Sequence, residues 1–369
     1  MFFVIITLKS VGVKMNSELI SKIVLMITIP FVFVALITPY IGKLALQIGA
    51  VDIPRTRHIH SKTTPKLGGL GIFLGYLLGY MIFGTHSAQM NSILIASFII
   101  ILTGIVDDIV ELKPGVKFGG QLISALIIPL YGNILLKDVS AFGIYLEFGI
   151  LSIPLTTFFI LGCINCMNLI DGLDGLSGGI SSIYFLTIGI IATMQNKFGL
   201  DFVLTFVMLG STLGFLIHNF NPAKIFAGDS GSMFMGFIIS VIALLGFKNV
   251  TMTSLIVPLL VLAIPILDTL CAIIRRALKG EKITYADNFH IHHQLLNKNF
   301  TPTQTVLIIY LVDLLFAITS IVYILHNIYL GYILYGILLS IVVVFIINTN
   351  VVFENKKSSN KIFKKGKNK

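Results

Sequence analysis

Long apolar segments alternate with short polar segments along the whole chain. Each apolar segment approaches the ~20 residues that an α-helix needs to cross the hydrocarbon core of a bilayer. Lipid offers no hydrogen-bond partners to the backbone, so such segments are expected to be helical. The pattern predicts an all-α, polytopic transmembrane bundle with about eleven spans, at residues 19–41, 67–84, 91–106, 118–136, 150–167, 177–194, 201–218, 232–247, 252–274, 304–325 and 328–349.

Two details of this pattern predict local structure. The second span carries Gly71, Gly75 and Gly79 at four-residue spacing, which makes a face of small residues for close packing against other helices. The segment at 137–149 is partly apolar but too short to span, and we expect a hairpin or an interfacial piece there.

The basic residues orient the spans. Most of the 26 lysines and arginines lie in the loops at 42–66, 107–117 and 275–303 and in the C-terminal tail. The positive-inside rule makes these segments cytoplasmic, which places the N-terminus outside and the C-terminus inside. We expect residues 1–350 to form a single membrane domain, and the lysine-rich tail at 351–369 to be disordered and attracted to anionic lipid.

Composition excludes two classes of protein. A mean hydropathy of +0.96 with only 11% charged residues does not fit a soluble enzyme. The net charge of +10 is not carried by any soluble basic domain, so we assign it to topology and to lipid headgroups, and expect no nucleic-acid partner. The polar clusters lie at one face of the predicted bundle, whereas a transporter more typically places ionisable groups at mid-membrane.

The loop at residues 219–232, NFNPAKIFAGDSGS, is the polar segment around which the others are organised. Asp229 stands between two glycines, which leave its carboxylate and the nearby backbone amides open to a ligand. Carboxylate oxygens suit a hard cation such as Mg²⁺. We therefore expect a metal-bound diphosphate here. Asn219 and Phe226 are candidates for binding a base, although from the residues alone a packed core ring is the better interpretation of Phe226.

Two further loops carry carboxylates. Asp107 and Asp108 end the third span, where adjacent acids beside an apolar run need a cation or a shared proton. Asn168, Asp171 and Asp174 recur every third residue among glycines, so they can lie on one side of a helical turn and approach a ligand. We expect these two loops to bind metal or substrate, the alternatives being a solvated helix end and a polar turn.

Basic side chains follow the ninth span. Arg275 and Arg276 offer planar forks for phosphate. The histidines of the segment DNFHIHH (287–293) have no cysteine or well-spaced histidine partners for zinc, so hydrogen bonding to an anionic substrate fits better. The basic, glycine-rich loop at 52–71 either helps to hold phosphate or carries ordinary positive-inside charge. The candidates in the histidine segment are His290, His292 and His293.

Other chemistry-bearing residues are not assigned to the site. Cys163 and Cys166 form a C-x-x-C motif without a redox or zinc context, and we interpret them as structural. Asp268 and Asp313 lie within predicted spans and are left outside the site.

Taken together and in this order, the loops resemble one family over about residues 45–300. The motifs are D-x-P-x-R, the Asp107–Asp108 pair, N-x-x-N-x-x-D-G-x-D-G, N-P-A-K-x-F-x-G-D-x-G-S and H-I-H-H. They resemble the polyprenyl-phosphate N-acetylhexosamine-1-phosphate transferases, relatives of phospho-N-acetylmuramoyl-pentapeptide transferase. The H-I-H-H form looks like the N-acetylglucosamine branch. Glu111 departs from the pattern, because many relatives have Asp there, and this puts its role in doubt.

The resemblance implies a reaction and a set of roles. UDP-N-acetylglucosamine and undecaprenyl phosphate would give the lipid-linked sugar and UMP with Mg²⁺ or Mn²⁺ at the cytoplasmic face of the cell membrane, which starts a cell-envelope polysaccharide of the teichoic acid or O-antigen type. Related enzymes are often dimers, so a homodimer is also allowed. By motif match, Asp107 and Asp108 would be catalytic; Asp229 and Asp171 would hold metal; and Asn168, Asp171, Asp174, Asn219, Phe226, Arg276, His290, His292 and His293 would bind the nucleotide, diphosphate and sugar.

Three alternatives stay open at this point. The same chemistry can serve another UDP-N-acetylhexosamine or UDP-N-acetylmuramoyl-pentapeptide, because the sugar pocket is not legible in sequence. A transporter of an anionic solute is the alternative from another class. A non-catalytic homologue would be expected to lose its carboxylates, and this chain retains them.

Overall fold

The structure, a computed structural model, describes residues 17–52, 63–141, 144–246, 253–280, 289–325 and 328–349. Helices account for most of these residues. In chain order they are α1 (Ser17–Ile48), α2 (Gly68–Phe83), α3 (Ala88–Val110), α4 (Pro114–Leu130), α5 (Ser152–Ile170), α6 (Leu176–Met194), α7 (Leu200–Asn219), α8 (Gly228–Gly246), α9 (Thr253–Val261), α10 (Ala263–Lys279), α11 (Ile291–Asn297), α12 (Pro302–Leu325) and α13 (Ile328–Ile347).

The polytopic helical architecture is confirmed. Eight helices in the described part of the chain are long and apolar enough to cross a membrane, namely α1, α3, α5 with its preceding 3₁₀ turn, α6, α7, α8, α12 and α13. The shorter apolar helices α2 and α4 correspond to two more predicted spans. The count of eleven, the orientation and the single-domain assignment stay predictions, and the basic tail lies outside the described residues.

The ninth predicted span, 252–274, is wrong as a continuous helix. The structure divides it into α9 and α10, with Leu262 between them at φ −98° and ψ 20°. Pro265 has no backbone N–H to donate to the carbonyl of Val261, so the helical ladder is interrupted at this point. The interruption is short, because Leu262 still donates to the backbone oxygen of Pro258 and accepts from the N–H of Ile266.

Two small antiparallel ribbons accompany the helices. Strand β1 (Val51–Asp52) pairs with β2 (Thr64–Pro65), with Val51 opposite Pro65. Strand β3 (Asp138–Ala141) pairs with β4 (Ile144–Glu147), which confirms a hairpin within the segment at 137–149. The prediction of an all-α fold therefore holds for the bundle but missed these ribbons.

The helices α6 and α8 form the centre of the bundle. Nearly every residue of α6 and all residues of α8 from Ser230 to Leu244 are buried. Phe234 of α8 packs edge-on against Phe73 and Tyr76 of α2, with ring centroids 5.4 and 5.5 Å apart. This packing fixes α8 against α2 and so helps to position Asp229, which lies in the first turn of α8.

The small-residue face of α2 is confirmed as a packing surface. A Cβ on Gly75 would lie 2.4 Å from Val34 of α1, and one on Gly79 would lie 2.3 Å from Val207 of α7. The absence of side chains here lets α2 pack directly against both helices, as small residues do in membrane bundles.

The α1–α7 contact is equally tight and is open to test. A Cβ on Gly210 of α7 would lie 2.2 Å from the backbone oxygen of Ile27. Because backbone cannot move aside as a side chain can, we expect Gly210→Ala to lower stability by about 1–3 kcal/mol. Thermal unfolding in detergent measures this.

The matched control is Gly162→Ala in α5, where no atom lies within 4 Å of the added Cβ. Alanine is the better helix former, so this variant should match or exceed the wild-type melting temperature. Equal melting temperatures for the two variants would contradict the packing argument.

Candidate active site

A cavity of about 330 Å³ opens where α3, α5, α7 and α8 present their polar ends. Its lining residues come from distant positions between Asp52, on β1, and His293, and they include Lys66, just after β2. The predicted site residues on its wall are Asp108, Asn168, Asp171, Asp174, Asn219, Phe226, Asp229 and His293. Their individual roles stay predictions, and their contacts show what each can do.

Asp108 fixes the start of α8. Its Oδ1 accepts from the backbone N–H of Asp229 at 2.8 Å, and its Oδ2 accepts from the N–H of Ser230 at 3.1 Å. A carboxylate at this position also offsets the positive end of the helix dipole. Both oxygens of Asp108 thus hold the backbone at the start of α8, and its predicted catalytic role stays a prediction.

Two glycines allow the first turn of α8 to pack closely against the neighbouring chain. Gly228 has φ +70°, the left-handed region, and a Cβ there would lie 2.1 Å from the backbone oxygen of Lys66. A Cβ on Gly104 of α3 would lie 2.3 Å from Cα of Ser230. Asp229 therefore belongs to a helical first turn in close contact with its neighbours, whereas the sequence pattern placed it in a loop.

Lys117 of α4 lies at the centre of the acidic cluster. Its Nζ is 2.9 Å from Asp107 Oδ2 and 2.8 Å from Asp229 Oδ1. The same ammonium donates to Asn168 Oδ1 at 3.3 Å. One cation thus joins two carboxylates from different helices, and both would otherwise repel each other in a poorly solvated place.

Asn168 completes this cluster from α5. Its amide nitrogen donates to the same Oδ1 of Asp229 and, at 2.9 Å, to the hydroxyl oxygen of Ser232. Oδ1 of Asp229 thus has two donors of its own. The Asp229 side chain is 34% exposed, so the carboxylate also faces the cavity. It is therefore held in one orientation while open to a ligand.

Asp174 and Asn219 tie the loops around the cavity together. Asp174 Oδ2 accepts from Asn221 Nδ2 at 2.8 Å and from the N–H of Ala223 at 3.0 Å. Asn219 Oδ1 accepts from the N–H of Gly175, and its Nδ2 donates to the backbone oxygen of Ile225. Asn219 is 3% exposed. These contacts fix the loops on either side of Asn219, and its predicted contact with a base stays a prediction.

Helix α12 supports the same loops from behind. The Tyr310 hydroxyl donates to the backbone oxygen of Gly175, and the Thr303 hydroxyl donates to Asn221 Oδ1 at 3.0 Å. The cavity wall therefore depends on a helix that contributes none of its lining residues.

Asp171 is held at the end of α5. Its Oδ1 accepts from the Ser177 hydroxyl. Burial raises the pKa of Asp171 to about 7, and the nearby carboxylates of Asp229 and Asp174 add to the rise, whereas the Ser177 hydrogen bond opposes it. A bound cation would reverse this tendency, because opposite charge favours the carboxylate form.

The three histidines occupy different places. Of the three, only His293 lies on the cavity wall. His292 is 1% exposed, and its Nε2 would lie 2.5 Å from a Cβ on Gly172. His290 lies with Nδ1 2.7 Å from Oδ2 of Asp268. Arg276 is buried in the last turn of α10 and does not line the cavity. The structure thus places His293 on the cavity wall, whereas Arg276, His290 and His292 are not among the residues that line the cavity.

Comparison with known proteins identifies the family. Residues 90–247 match the model of glycosyl transferase family 4. A protein of Bacillus subtilis described as a probable undecaprenyl-phosphate N-acetylglucosaminyl 1-phosphate transferase is 40% identical over 354 residues, which are 95% of this chain and 99% of the relative. The chain belongs to glycosyl transferase family 4.

Two further relatives agree over shorter ranges. A decaprenyl-phosphate N-acetylglucosaminephosphotransferase of Mycolicibacterium smegmatis is 30% identical, over 74% of this chain and 75% of its own. An undecaprenyl-phosphate alpha-N-acetylglucosaminyl 1-phosphate transferase of Haemophilus influenzae is 34% identical, over 72% of this chain and 77% of its own. The resemblance seen in the motifs is confirmed at the level of the family.

Sequence reasoning missed two contacts close to this family 4 site, that of Lys117 with the acidic cluster and that of Asp268 with the histidine segment. Lys117 was counted only as positive-inside charge, and Asp268 was set aside as an intramembrane acid. The available signal for Lys117 was a lysine in the first turn of an apolar helix, nine residues after Asp108. For Asp268 the signal was a buried acid on the same apolar segment as Arg275. Asp52 and Lys66 also line the cavity, with 3.8 Å between Lys66 Nζ and Asp52 Oδ1.

Among the described residues, no three His, Cys, Asp or Glu side chains converge as a ready-made metal centre. The donor set nevertheless suits a hard cation. Five Asp carboxylates line the cavity, while Lys66 and His293 are the basic side chains on its wall. Oxygen donors in excess over fixed positive charge are what Mg²⁺ prefers when it shares its coordination sphere with phosphate oxygens and water.

His292 is expected to make stability fall in acid. Burial, together with the positive charge of neighbouring His293, lowers the pKa of His292 to about 3, against 6.5 for a free side chain. Between these values the unfolded chain binds a proton that the folded chain does not. The free energy of unfolding should therefore fall by up to about 1.4 kcal/mol for each pH unit below 6.5.

Melting temperatures in detergent between pH 7.5 and 5 measure this effect. The wild type should lose stability more steeply than His292→Gln, which cannot take up the proton. Parallel curves for the two proteins would show that His292 does not remain neutral in the fold.

Proposed function

We propose that the chain transfers N-acetylglucosamine 1-phosphate from UDP-N-acetylglucosamine to undecaprenyl phosphate and releases UMP. The observation that carries the proposal is the cluster in which Lys117 joins Asp107 to Asp229, which lies on the cavity wall. The chain is also 40% identical to a relative described as a probable undecaprenyl-phosphate N-acetylglucosaminyl 1-phosphate transferase. The lipid-linked product would initiate a cell-envelope polysaccharide of the teichoic acid or O-antigen type.

The reaction needs positioning more than covalent chemistry from the protein. An oxygen of the lipid phosphate attacks the β-phosphorus of the donor, the bond to the bridging oxygen breaks, and UMP leaves with that oxygen. A phosphate monoester has its second pKa near ~6, so the nucleophile is mostly dianionic at neutral pH and a strong base is not required. Transferases of this type accelerate the step by alignment and charge stabilisation.

The contacts support specific roles for the cluster. Asp107 is held by Lys117 and by the N–H of Leu112, which donates to its Oδ1 at 2.7 Å. In this position it directs the acceptor phosphate, with Lys117 offsetting the negative charge that gathers during transfer. Asp108 keeps the first turn of α8 in place, and His293 faces the donor across the cavity.

We propose Asp229 and Asp171 as ligands for Mg²⁺ or Mn²⁺. The support is that both line the cavity and supply hard oxygen atoms, with Asp229 Oδ1 already fixed by Lys117 and Asn168. A divalent cation held by these two carboxylates would supply positive charge close to the donor diphosphate.

The proposal includes a location. The basic loops and the cavity lie at the same predicted face, so the chain is placed in the plasma membrane with about eleven spans, its N-terminus outside and its active site cytoplasmic. There a water-soluble donor meets an acceptor held in the bilayer. A homodimer is the proposed assembly, by analogy with related enzymes.

A transferase assay on purified protein in detergent tests the function. With undecaprenyl phosphate and Mg²⁺, UDP-N-acetylglucosamine should give UMP, while UDP-N-acetylgalactosamine and UDP-N-acetylmuramoyl-pentapeptide should not. Asp229→Ala and addition of EDTA should each abolish release, and excess Mg²⁺ should reverse only the EDTA effect. Release of UMP with only one of the other donors would show that the chain uses a different sugar substrate. No release with any donor in folded protein would refute the enzyme and favour transport of an anionic solute.

Lys117 gives a second test within the same assay. We expect Lys117→Met to lower kcat by about 100-fold or more, because the variant leaves Asp107 and Asp229 without their shared cation. Lys113→Met is the matched control, since Lys113 is exposed in the same connection and begins α4 without a side-chain cap. Near wild-type kcat in Lys117→Met, or equal losses in both variants, would contradict the role given to Lys117.

A further inference from the structure

Asp268 of α10 makes two short contacts with the histidine segment. The carboxylate is 1% exposed. Its Oδ2 lies 2.7 Å from His290 Nδ1, and its Oδ1 accepts from the backbone N–H of Ile291 at 2.7 Å. A carboxylate oxygen accepts hydrogen bonds, so His290 carries its proton on Nδ1. Both oxygens are thereby committed to the first residues of α11.

Helix α11 depends on such outside support. It has seven residues, and an isolated helix of this length is not stable in water. Its N-cap, His290, makes no capping hydrogen bond of its own. The cap is supplied instead by Asp268, and Ile291 and Leu295 add buried apolar contacts. The position of α11 is therefore set from α10.

The position of α11 decides which histidine reaches the cavity. The rings of His290 and His292 are parallel, with centroids 5.7 Å apart, and His292 abuts the loop at Gly172. His293, one residue further round the helix, faces the cavity. A shift or rotation of α11 would withdraw His293 and release the contact with that loop.

We infer that Asp268 is a positioning residue that anchors α11 through His290 and Ile291 and thereby directs His293 at the donor substrate. Asp268 itself touches neither substrate. The part that concerns the donor rests on the proposed function, whereas the anchoring of α11 does not.

Hydrogen–deuterium exchange tests the anchoring without any substrate. Asp268→Asn keeps the size of the side chain but removes one acceptor, and Asp268→Glu keeps both. Amides of residues 291–297 should exchange at least about tenfold faster in Asp268→Asn than in wild type, with partial recovery in Asp268→Glu. The control is Asp313→Asn, an acid of equal burial in α12 that should leave exchange in α11 unchanged. Unchanged exchange in Asp268→Asn would overturn the inference.

A double-mutant cycle tests the direction of His293. Asp268→Asn should raise KM for UDP-N-acetylglucosamine about tenfold or more, with little change in KM for undecaprenyl phosphate. In a His293→Ala background the same substitution should cost little further, because the group that it misdirects is already gone. Additive losses, or equal increases in both KM values, would show a general structural effect and overturn the assignment.

The two proposals fail in distinguishable ways. A wild-type protein that releases UMP from no donor refutes the proposed function, and the exchange comparison still decides whether Asp268 anchors α11. An active wild type with unaltered exchange and unaltered KM in Asp268→Asn leaves the function intact and refutes the positioning role.

Discussion

One ammonium group shared by two carboxylates is the interaction on which the site depends. Lys117 joins Asp107 of α3 to Asp229 of α8 from a third helix, α4, at the polar end of an apolar bundle. Without that cation, two acids in a poorly solvated place would repel each other or take up protons. With it, the two side chains stay close together and fixed at the edge of the cavity.

The surrounding structure serves to keep this group of charges fixed. Asp108 holds the backbone at the start of α8, and Gly104 and Gly228 let neighbouring chain approach to contact distance. Asn219 and Asp174 join the loops that close the cavity. Asp108, Asp174 and Asn219 thus line the cavity and also use their side-chain hydrogen bonds to hold the surrounding backbone in place.

The sequence predicted the bundle well because lipid solvation imposes a simple rule on segment length and polarity. It also predicted which polar loops supply the cavity, since Asp, Asn and Gly are rarely placed together at the end of an apolar span without cause. It did not separate facing residues from supporting ones. Asp108 and Asp229 look equivalent in the sequence. In the structure, Asp108 accepts from two backbone amides, whereas Asp229 accepts from the side chains of Lys117 and Asn168.

The misses have the same physical origin. Hydropathy drew the edge of the eighth span at residue 232, because the polar first turn of α8 looks like loop until Asp108 is seen to cap it. Lys117 and Asp229 are 112 positions apart, and no local pattern relates them. Asp268 looks like an isolated intramembrane acid in the sequence, because its partners His290 and Ile291 lie more than 20 residues further along the chain. Long-range polar pairing is what a one-dimensional pattern cannot show.

The two hydrogen bonds from α12 to the loops of the cavity have a consequence for biogenesis. The acids reach the ribosomal exit early, but Thr303 and Tyr310, which hold the loops at Asn221 and Gly175, are synthesised near the end. Membrane chains are made and inserted from the N-terminus onwards. A nascent chain therefore carries the charged cluster without the support that shapes its cavity, and competence for catalysis waits for the last helices. The loops at Gly175 and Asn221 therefore gain these two hydrogen bonds only once α12 has packed beside them.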